Sequence, residues 1–249
     1  MKEASIRLAE PWQDRIKGSW WKAPLLIIVY FVSRMFTETW VIREGARLAQ
    51  VELTSQTVNE ISVINLMTYA PIQYFVQVLG LTVFVIAACR FLKFKFLDFE
   101  SFTIADLVKV LKIYGVIYIV QLLLTIILTI VAPDYGQPAN QAAVESMVQN
   151  MGGILMFINI VILTPITEEY LLRGLIMKYT FPSMPVVGAA VSAVVFTLLH
   201  GPENWIDFSL YYIMSIGFTM TYLYTRRLEY PIILHIIQNF IGFIAIHLV

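Results

Sequence analysis

The chain has 249 residues, of which 59% are hydrophobic and 14% charged, and its mean hydropathy is +0.75. Soluble domains carry nearer a quarter charged residues, so this composition points to a polytopic membrane protein. The formal net charge is zero and Cys89 is the single cysteine, which argues against a nucleic-acid partner and rules out an intrachain disulfide or a cysteine-rich metal cluster.

Residues 1–22 read as an interfacial N-terminal segment. Trp12, Trp20 and Trp21 lie there among basic residues, as in the aromatic belt that precedes a span. The first apolar run follows about 22 residues of mixed charge and ends without a small-x-small cleavage site, so it reads as a retained anchor rather than a signal peptide. Candidate spans of roughly 17 to 25 apolar residues fall at about 24–42, 67–90, 107–132, 151–178, 184–200, 208–225 and 231–249. Residues 23–149 hold the N-terminal transmembrane helices. Cys89, in FVIAACRF, reads as a small packing residue. The expected fold is an all-α, polytopic transmembrane helix bundle of about seven to eight spans.

Basic residues set the expected orientation. Lys2, Arg7, Arg15, Lys17 and Lys22 precede the first span; Arg90, Lys93, Lys95, Lys109 and Lys112 surround the connection after the second. Arg226 and Arg227 follow the sixth. The connections Pro133 to Asn150 and Gly201 to Asp207 have none. This places the N-terminus in the cytoplasm and the C-terminus outside, with Arg43 and Arg47 against the trend. Arg34 and Glu38, four apart in the first span, read as a structural ion pair facing the bundle.

Ionisable groups at bilayer depth cost on the order of 3 kcal/mol each and tend to mark a functional interior. The second half of the chain collects Glu168, Glu169, Arg173, His200, His235 and Asn239. Glu169 and Arg173 are four apart, acid first, the better order for a helix pair. Glu168 is rotated by about 100° from Glu169 and is left as the free carboxylate. Thr164 and Pro165 suit a cap and first turn, where the helix breaks or restarts. His235 and Asn239 share a helix face in HIIQN. His200 ends a span whose Gly188, Ala189, Ser192 and Ala193 permit close helix contact. His247, near the C-terminus, reads as interfacial.

A free glutamate, two histidines and an asparagine suit amide hydrolysis. Glu168 would be a base for water, with His200 sharing that water. His235 and Asn239 would donate to the oxyanion. The close variant is a metal-bound water, with a divalent ion such as zinc held by Glu168, His200 and His235. No cofactor is required by the pattern. HExxH is absent, and Ser192, Thr197 and Ser209 stand in no nucleophile-elbow pattern, which disfavours a zincin and a serine hydrolase. Each motif alone has a structural reading, as a packing ion pair, an interfacial histidine or an interhelical hydrogen bond. Their order on three separate spans favours function.

The order EEYLLR (Glu168 to Arg173), FTLLH (Phe196 to His200) and HIIQN (His235 to Asn239) resembles the CPBP family. That family comprises the CAAX prenyl proteases of the Rce1 type and the bacterial Abi proteins. The resemblance covers roughly residues 150–249 and implies a catalytic transmembrane core there, with the active site between helices of the C-terminal half. It implies an intramembrane endopeptidase acting on a membrane-associated protein or peptide, such as a pheromone or bacteriocin precursor or a CAAX-like substrate. By motif, Glu168 would be the general base, His200 its partner on the water, and His235 and Asn239 the oxyanion site. Glu169, Arg173 and Phe196 would be structural support. The family is often called a metalloprotease, although a glutamate–histidine mechanism needs no bound metal.

The expected location is the cell membrane, taken as a bacterial plasma membrane because FIAIHLV carries no eukaryotic retention signal. One alternative is a non-catalytic protein of the same fold acting in bacteriocin self-immunity or as a regulatory partner. Another is a transporter, which the lack of an inverted repeat disfavours. Counting rise per residue places Glu168 nearer the inner side and His200 nearer the outer side. The two meet only if the fourth helix extends beyond the membrane, or if the fifth starts below its surface or tilts.

Overall fold

The structure, a computed structural model, describes residues 10–12, 21–54, 63–97 and 102–248. Most of the N-terminal segment, including Lys2, Arg7, Arg15, Lys17 and Trp20, lies outside the described residues, as does the His247 side chain. The described chain is helical, without strands. The helices are α1 (Lys22–Ala49), α2 (Val63–Thr68), α3 (Pro71–Phe91), α4 (Ile104–Val131), α5 (Ala139–Asn150), α6 (Gly153–Thr180), α7 (Pro185–Leu199), α8 (Trp205–Thr225) and α9 (Glu229–Leu248).

Each of the seven expected apolar runs is helical over most of its length. Among the described residues α1, α3, α4, α6 and α9 are long and apolar enough to cross a membrane, and α7 is a shorter apolar helix. The protein is a multi-pass membrane protein with a helix-bundle fold.

Local chemistry moves the boundaries. The second span begins at Pro71 in the first turn of α3, where a missing N–H does no harm, and residues 63–68 before it form the separate α2. A Cβ on Gly45 of α1 would lie 1.9 Å from the Leu66 carbonyl oxygen, so glycine is what lets α2 touch α1 there. Thr103 and Asp106 form a capping box at the start of α4, closing two free donors. Asn204 caps α8 through Ile206 and Asp207. The connection from Pro133 to Asn150 contains a helix of its own, α5.

Trp12 departs from the expected interfacial role. Its ring is buried, stacked on Tyr222 with centroids 4.9 Å apart, and the Arg226 guanidinium lies 4.2 Å from its centroid. The flat apolar face finds an aromatic and a cationic partner inside the protein, and its backbone N–H donates to the Pro182 carbonyl at 2.9 Å. Trp21, by contrast, is exposed at the start of α1.

Helix α6 is the axis of the bundle. It packs against α1, α3, α7 and α9, and half of its most apolar window is buried, against 11% for α4. Helix α4 therefore presents most of its apolar surface outward, as a lipid-facing helix does. Small residues allow close approach of α7 to α6: a Cβ on Gly188 would lie 3.1 Å from the Met177 Cα. Ala189, Ser192 and Ala193 are buried along the same helix.

Helix α6 does not break at Thr164–Pro165. It runs continuously by widening into π-helical turns at Phe157–Leu163 and Tyr170–Thr180, with an α-helical turn at Thr164–Glu169 between them. The Thr164 N–H reaches back five residues to the Asn159 carbonyl. Such turns are rare and concentrate at functional sites. Thr164 does not act as a side-chain cap, because the helix before it never ends.

Candidate active site

Pro165 has no N–H, so the carbonyl five residues before it, Ile160, lacks the donor that the widened register would supply. Asn239 of α9 provides it: Nδ2 donates to the Ile160 oxygen at 2.8 Å. This bond ties α9 to α6 about two turns before the glutamate pair. Thr167, next to Glu168, fastens the same turn to α3 through a hydroxyl–hydroxyl bond of 2.8 Å to Thr82, and to its own helix through the Leu163 carbonyl.

The two glutamates then diverge as expected. Glu169 is fully buried and its Oε1 accepts from Arg173 Nη1 at 3.0 Å. Arg173, equally buried, also donates through Nη2 to the Ser215 carbonyl, to Ser215 Oγ at 3.0 Å and to Thr219 Oγ1 at 3.3 Å. Its guanidinium lies 5.0 Å from the Phe196 ring centroid and 5.7 Å from that of Phe218. The carboxylate and two aromatic faces compensate a charge that would be untenable alone at this depth.

Glu169 does more than hold Arg173. The same Oε1 lies 3.0 Å from His235 Nδ1. An ionised carboxylate only accepts, so Nδ1 carries the hydrogen and Nε2 is turned the other way. Glu168 Oε2 stands 3.9 Å from that Nε2. Glu168 is partly exposed, and its Oε2 makes no hydrogen bond. His235 is thus flanked by both glutamates, one at each ring nitrogen. Its ring stacks on Phe218 at 4.8 Å.

His200 closes α7. Its Nδ1 lies 2.8 Å from the Phe196 carbonyl four residues back, which leaves Nε2 for another partner. Phe196 and Tyr211 rings stand 4.4 Å and 4.5 Å from the imidazole. Gly201, at φ +59°, takes the left-handed position that ends the helix immediately after it. Asn140 of α5 donates to the Tyr211 hydroxyl at 3.3 Å. Below Tyr211 the loop after α4 is pinned by a hydrogen bond from the Tyr135 hydroxyl to Asp207. Burial, reinforced by that carboxylate, pushes the Tyr135 phenol above its ordinary range.

Glu168, His200, His235 and Asn239 all line one cavity of about 700 Å³, a volume suited to a ligand of several residues or a drug-sized molecule. The depth difference expected between Glu168 and His200 does not keep them apart, since both line the same cavity. The 15 residues of α7 rise about 22 Å, less than the roughly 30 Å hydrocarbon core, whereas the 28 residues of α6 exceed it. Among the described residues no group of three His, Cys, Asp or Glu side chains stands close enough to hold a metal ion, Glu168, His200 and His235 included. Phe196, Glu169 and Arg173 are fully buried and do not line the cavity.

Several supporting residues carry weaker sequence signals. Ser215 and Thr219 are hydroxyls four apart in an apolar helix, a pattern that marks one polar stripe. Phe218 and Tyr211 look like ordinary aromatics and only their stacking reveals them.

Residues 150–241 match the Rce1-like family. The family model is that of the type II CAAX prenyl endopeptidases, and the Rce1-like segment contains all three motifs. The chain is also similar to the membrane-embedded CAAX protease MroQ of Staphylococcus aureus (strain USA300). They are 30% identical over 141 residues, which are 53% of this chain and 54% of that relative. The chain thus spans about half the length of the curated relative it matches. No solved structure matches. The resemblance read from the three motifs is borne out over the Rce1-like segment.

Proposed function

We propose that this protein is an intramembrane endopeptidase in which Glu168 activates water against a peptide bond of a membrane-associated substrate. The observation that carries the reading is the Glu168 carboxylate itself. Oε2 has no hydrogen-bond partner, belongs to a side chain that lines the cavity, and stands 3.9 Å from His235 Nε2. That separation is too long for a direct hydrogen bond and suits one oxygen atom touching both groups.

Glu168 takes a proton from water as the oxygen–carbon bond forms. His200 Nε2 holds the same water. The tetrahedral oxyanion is met by the second Nδ2 hydrogen of Asn239, and by His235 Nε2 when that ring carries both protons. Glu168 then returns its proton to the amide nitrogen as the carbon–nitrogen bond breaks. Glu169 and Arg173 fix the orientation of His235 and the helix that carries Glu168. Pheromone or bacteriocin precursors and CAAX-like chain ends are the substrate classes in view. The orientation proposed is an N-terminus in the cytoplasm of a bacterial plasma membrane.

The test compares membrane peptidomes of cells carrying wild type and Glu168→Gln at matched expression. A product present only with wild type supports proteolysis and identifies the substrate. Identical peptidomes, with a cellular phenotype still rescued by Glu168→Gln, would replace this reading with a non-catalytic binding role.

A further inference from the structure

Helix α1 contributes to the cavity wall a cation that the hydrolytic machinery does not use. Arg34 lines the cavity together with Glu38, Tyr30 and Tyr74. Among the described residues its only contact with a carboxylate is through Nε to Glu38 at 3.6 Å, with the two side chains 45% and 37% exposed. A half-exposed pair at that distance holds little. Neither Nη group has a hydrogen-bond partner among the described residues, so the planar fork that matches a carboxylate in two parallel bonds is open. A charged residue in a span is costly to keep for so loose a pair.

A second observation stands beside it. Gln77 of α3 lines the same cavity and is 6% exposed, yet its Oε1 has no partner. Its Nε2 is fixed by Thr37 Oγ1 at 3.2 Å, and the Thr37 hydroxyl bonds the Ser33 and Arg34 carbonyls. The amide is therefore locked to the turn of α1 that carries Arg34, with an acceptor left over. Tyr30, Tyr74, Arg34, Gln77 and Glu168 all line the same cavity, so one space joins the two groups.

We infer that Arg34 and Gln77 form a specificity subsite for a carboxylate on the substrate. Arg34 binds the carboxylate with its fork, and Gln77 Oε1 accepts an adjacent backbone N–H. Glu38 is the counter-ion that balances Arg34 until the substrate displaces it. The inference rests on the proposed protease reading for its substrate, and the carboxylate has two sources, a chain terminus or an Asp or Glu side chain.

The probes are apolar, internally quenched decapeptides in four versions: C-terminal acid or amide, each with a central Asp or Asn. Purified protein in proteoliposomes is assayed as wild type, Arg34→Gln and Arg34→Lys. A hydrogen-bonded charge pair predicts that wild type prefers one carboxylate version by about tenfold or more in kcat/KM, carried by KM. Arg34→Gln brings that version down to the rate of its neutral counterpart, and Arg34→Lys, which keeps charge without the fork, falls between. The acid–amide comparison and the Asp–Asn comparison separate the two sources. A preference unchanged in Arg34→Gln overturns the subsite. Binding of the same peptides to Glu168→Gln protein, by fluorescence anisotropy, reads the preference without turnover. Its loss on adding Arg34→Gln upholds the subsite even where no peptide is cleaved; equal binding of all four versions overturns it.

Discussion

Glu169 Oε1 holds two partners at once, Arg173 Nη1 and His235 Nδ1, each at 3.0 Å. One oxygen therefore joins a clamp within α6 to the imidazole of α9. The spacing of Glu169 and Arg173 shows only the clamp. The contact with His235 makes Glu169 the residue that decides which nitrogen of His235 faces Glu168.

This relationship separates stability from activity. Arg173→Ala or Glu169→Gln leaves part of a buried network uncompensated and should cost about 3–5 kcal/mol of stability. Replacing both, as Glu169→Leu with Arg173→Met, should recover much of the folded yield because no buried charge remains. Activity should stay lost, since His235 Nδ1 no longer has its acceptor. Size-exclusion yield and peptide cleavage, measured on the same preparations, check the two halves. Activity in the double variant would show that Glu169 acts on folding alone.

Glu168→Gln removes the base and keeps the shape. Cleavage should fall by about 10²–10⁴-fold, the usual worth of a positioned general base, while the thermal midpoint in detergent stays near wild type. The Glu168 side chain is partly exposed and its buried Oε2 makes no hydrogen bond, so the change breaks no bond at that oxygen, which is the reason folding tolerates it. Full activity at equal expression would exclude the mechanism.

Asn239 and Pro165 should be coupled. Asn239→Ala strands the Ile160 carbonyl, which costs about 1–3 kcal/mol for a buried acceptor. Pro165→Ala restores an N–H five residues after Ile160, so the double variant should regain stability relative to Asn239→Ala. It should not regain cleavage, because the second amide hydrogen of Asn239 is still missing. A double-mutant cycle on melting temperature, paired with turnover, separates the two roles of this side chain. Simple additivity in stability would mean that the carbonyl finds another donor.

Gly201→Ala asks a non-glycine residue to hold φ near +59°. The strain is about 1–2 kcal/mol, and the chain relieves it by shifting the end of α7, where His200 sits. Activity should drop more than the small loss in melting temperature suggests. A variant that melts early but cleaves normally would show that the helix stop does not position His200.

Most of the fold was legible in composition and runs of apolar residues, because a bilayer forces backbone groups to pair within each segment and so makes every span a helix. The free and clamped glutamates were also legible, since side chains four apart meet on one helix face whatever surrounds them. The break expected at Thr164–Pro165 was not there. Proline removes one donor locally, and local rules end the helix. In the folded protein an asparagine 79 positions away in the sequence supplies the missing bond, and a wider register absorbs the ring. Trp12 was misplaced for a related reason: an amphipathic ring suits a membrane interface or a protein interior equally, and only Tyr222 and Arg226 decide between them.

The sequence by itself determined that the chain enters the membrane several times, that it carries a glutamate free of its neighbour's ion pair, and that three polar motifs follow one another on separate spans. These are properties of hydropathy and helix periodicity, which act over a few turns. Tertiary structure decided that the motifs share one cavity, that His235 stands between both glutamates, and that Arg34 and Gln77 border the same space. Such convergence depends on how helices of unequal length pack side by side, and no periodicity within a single helix encodes it.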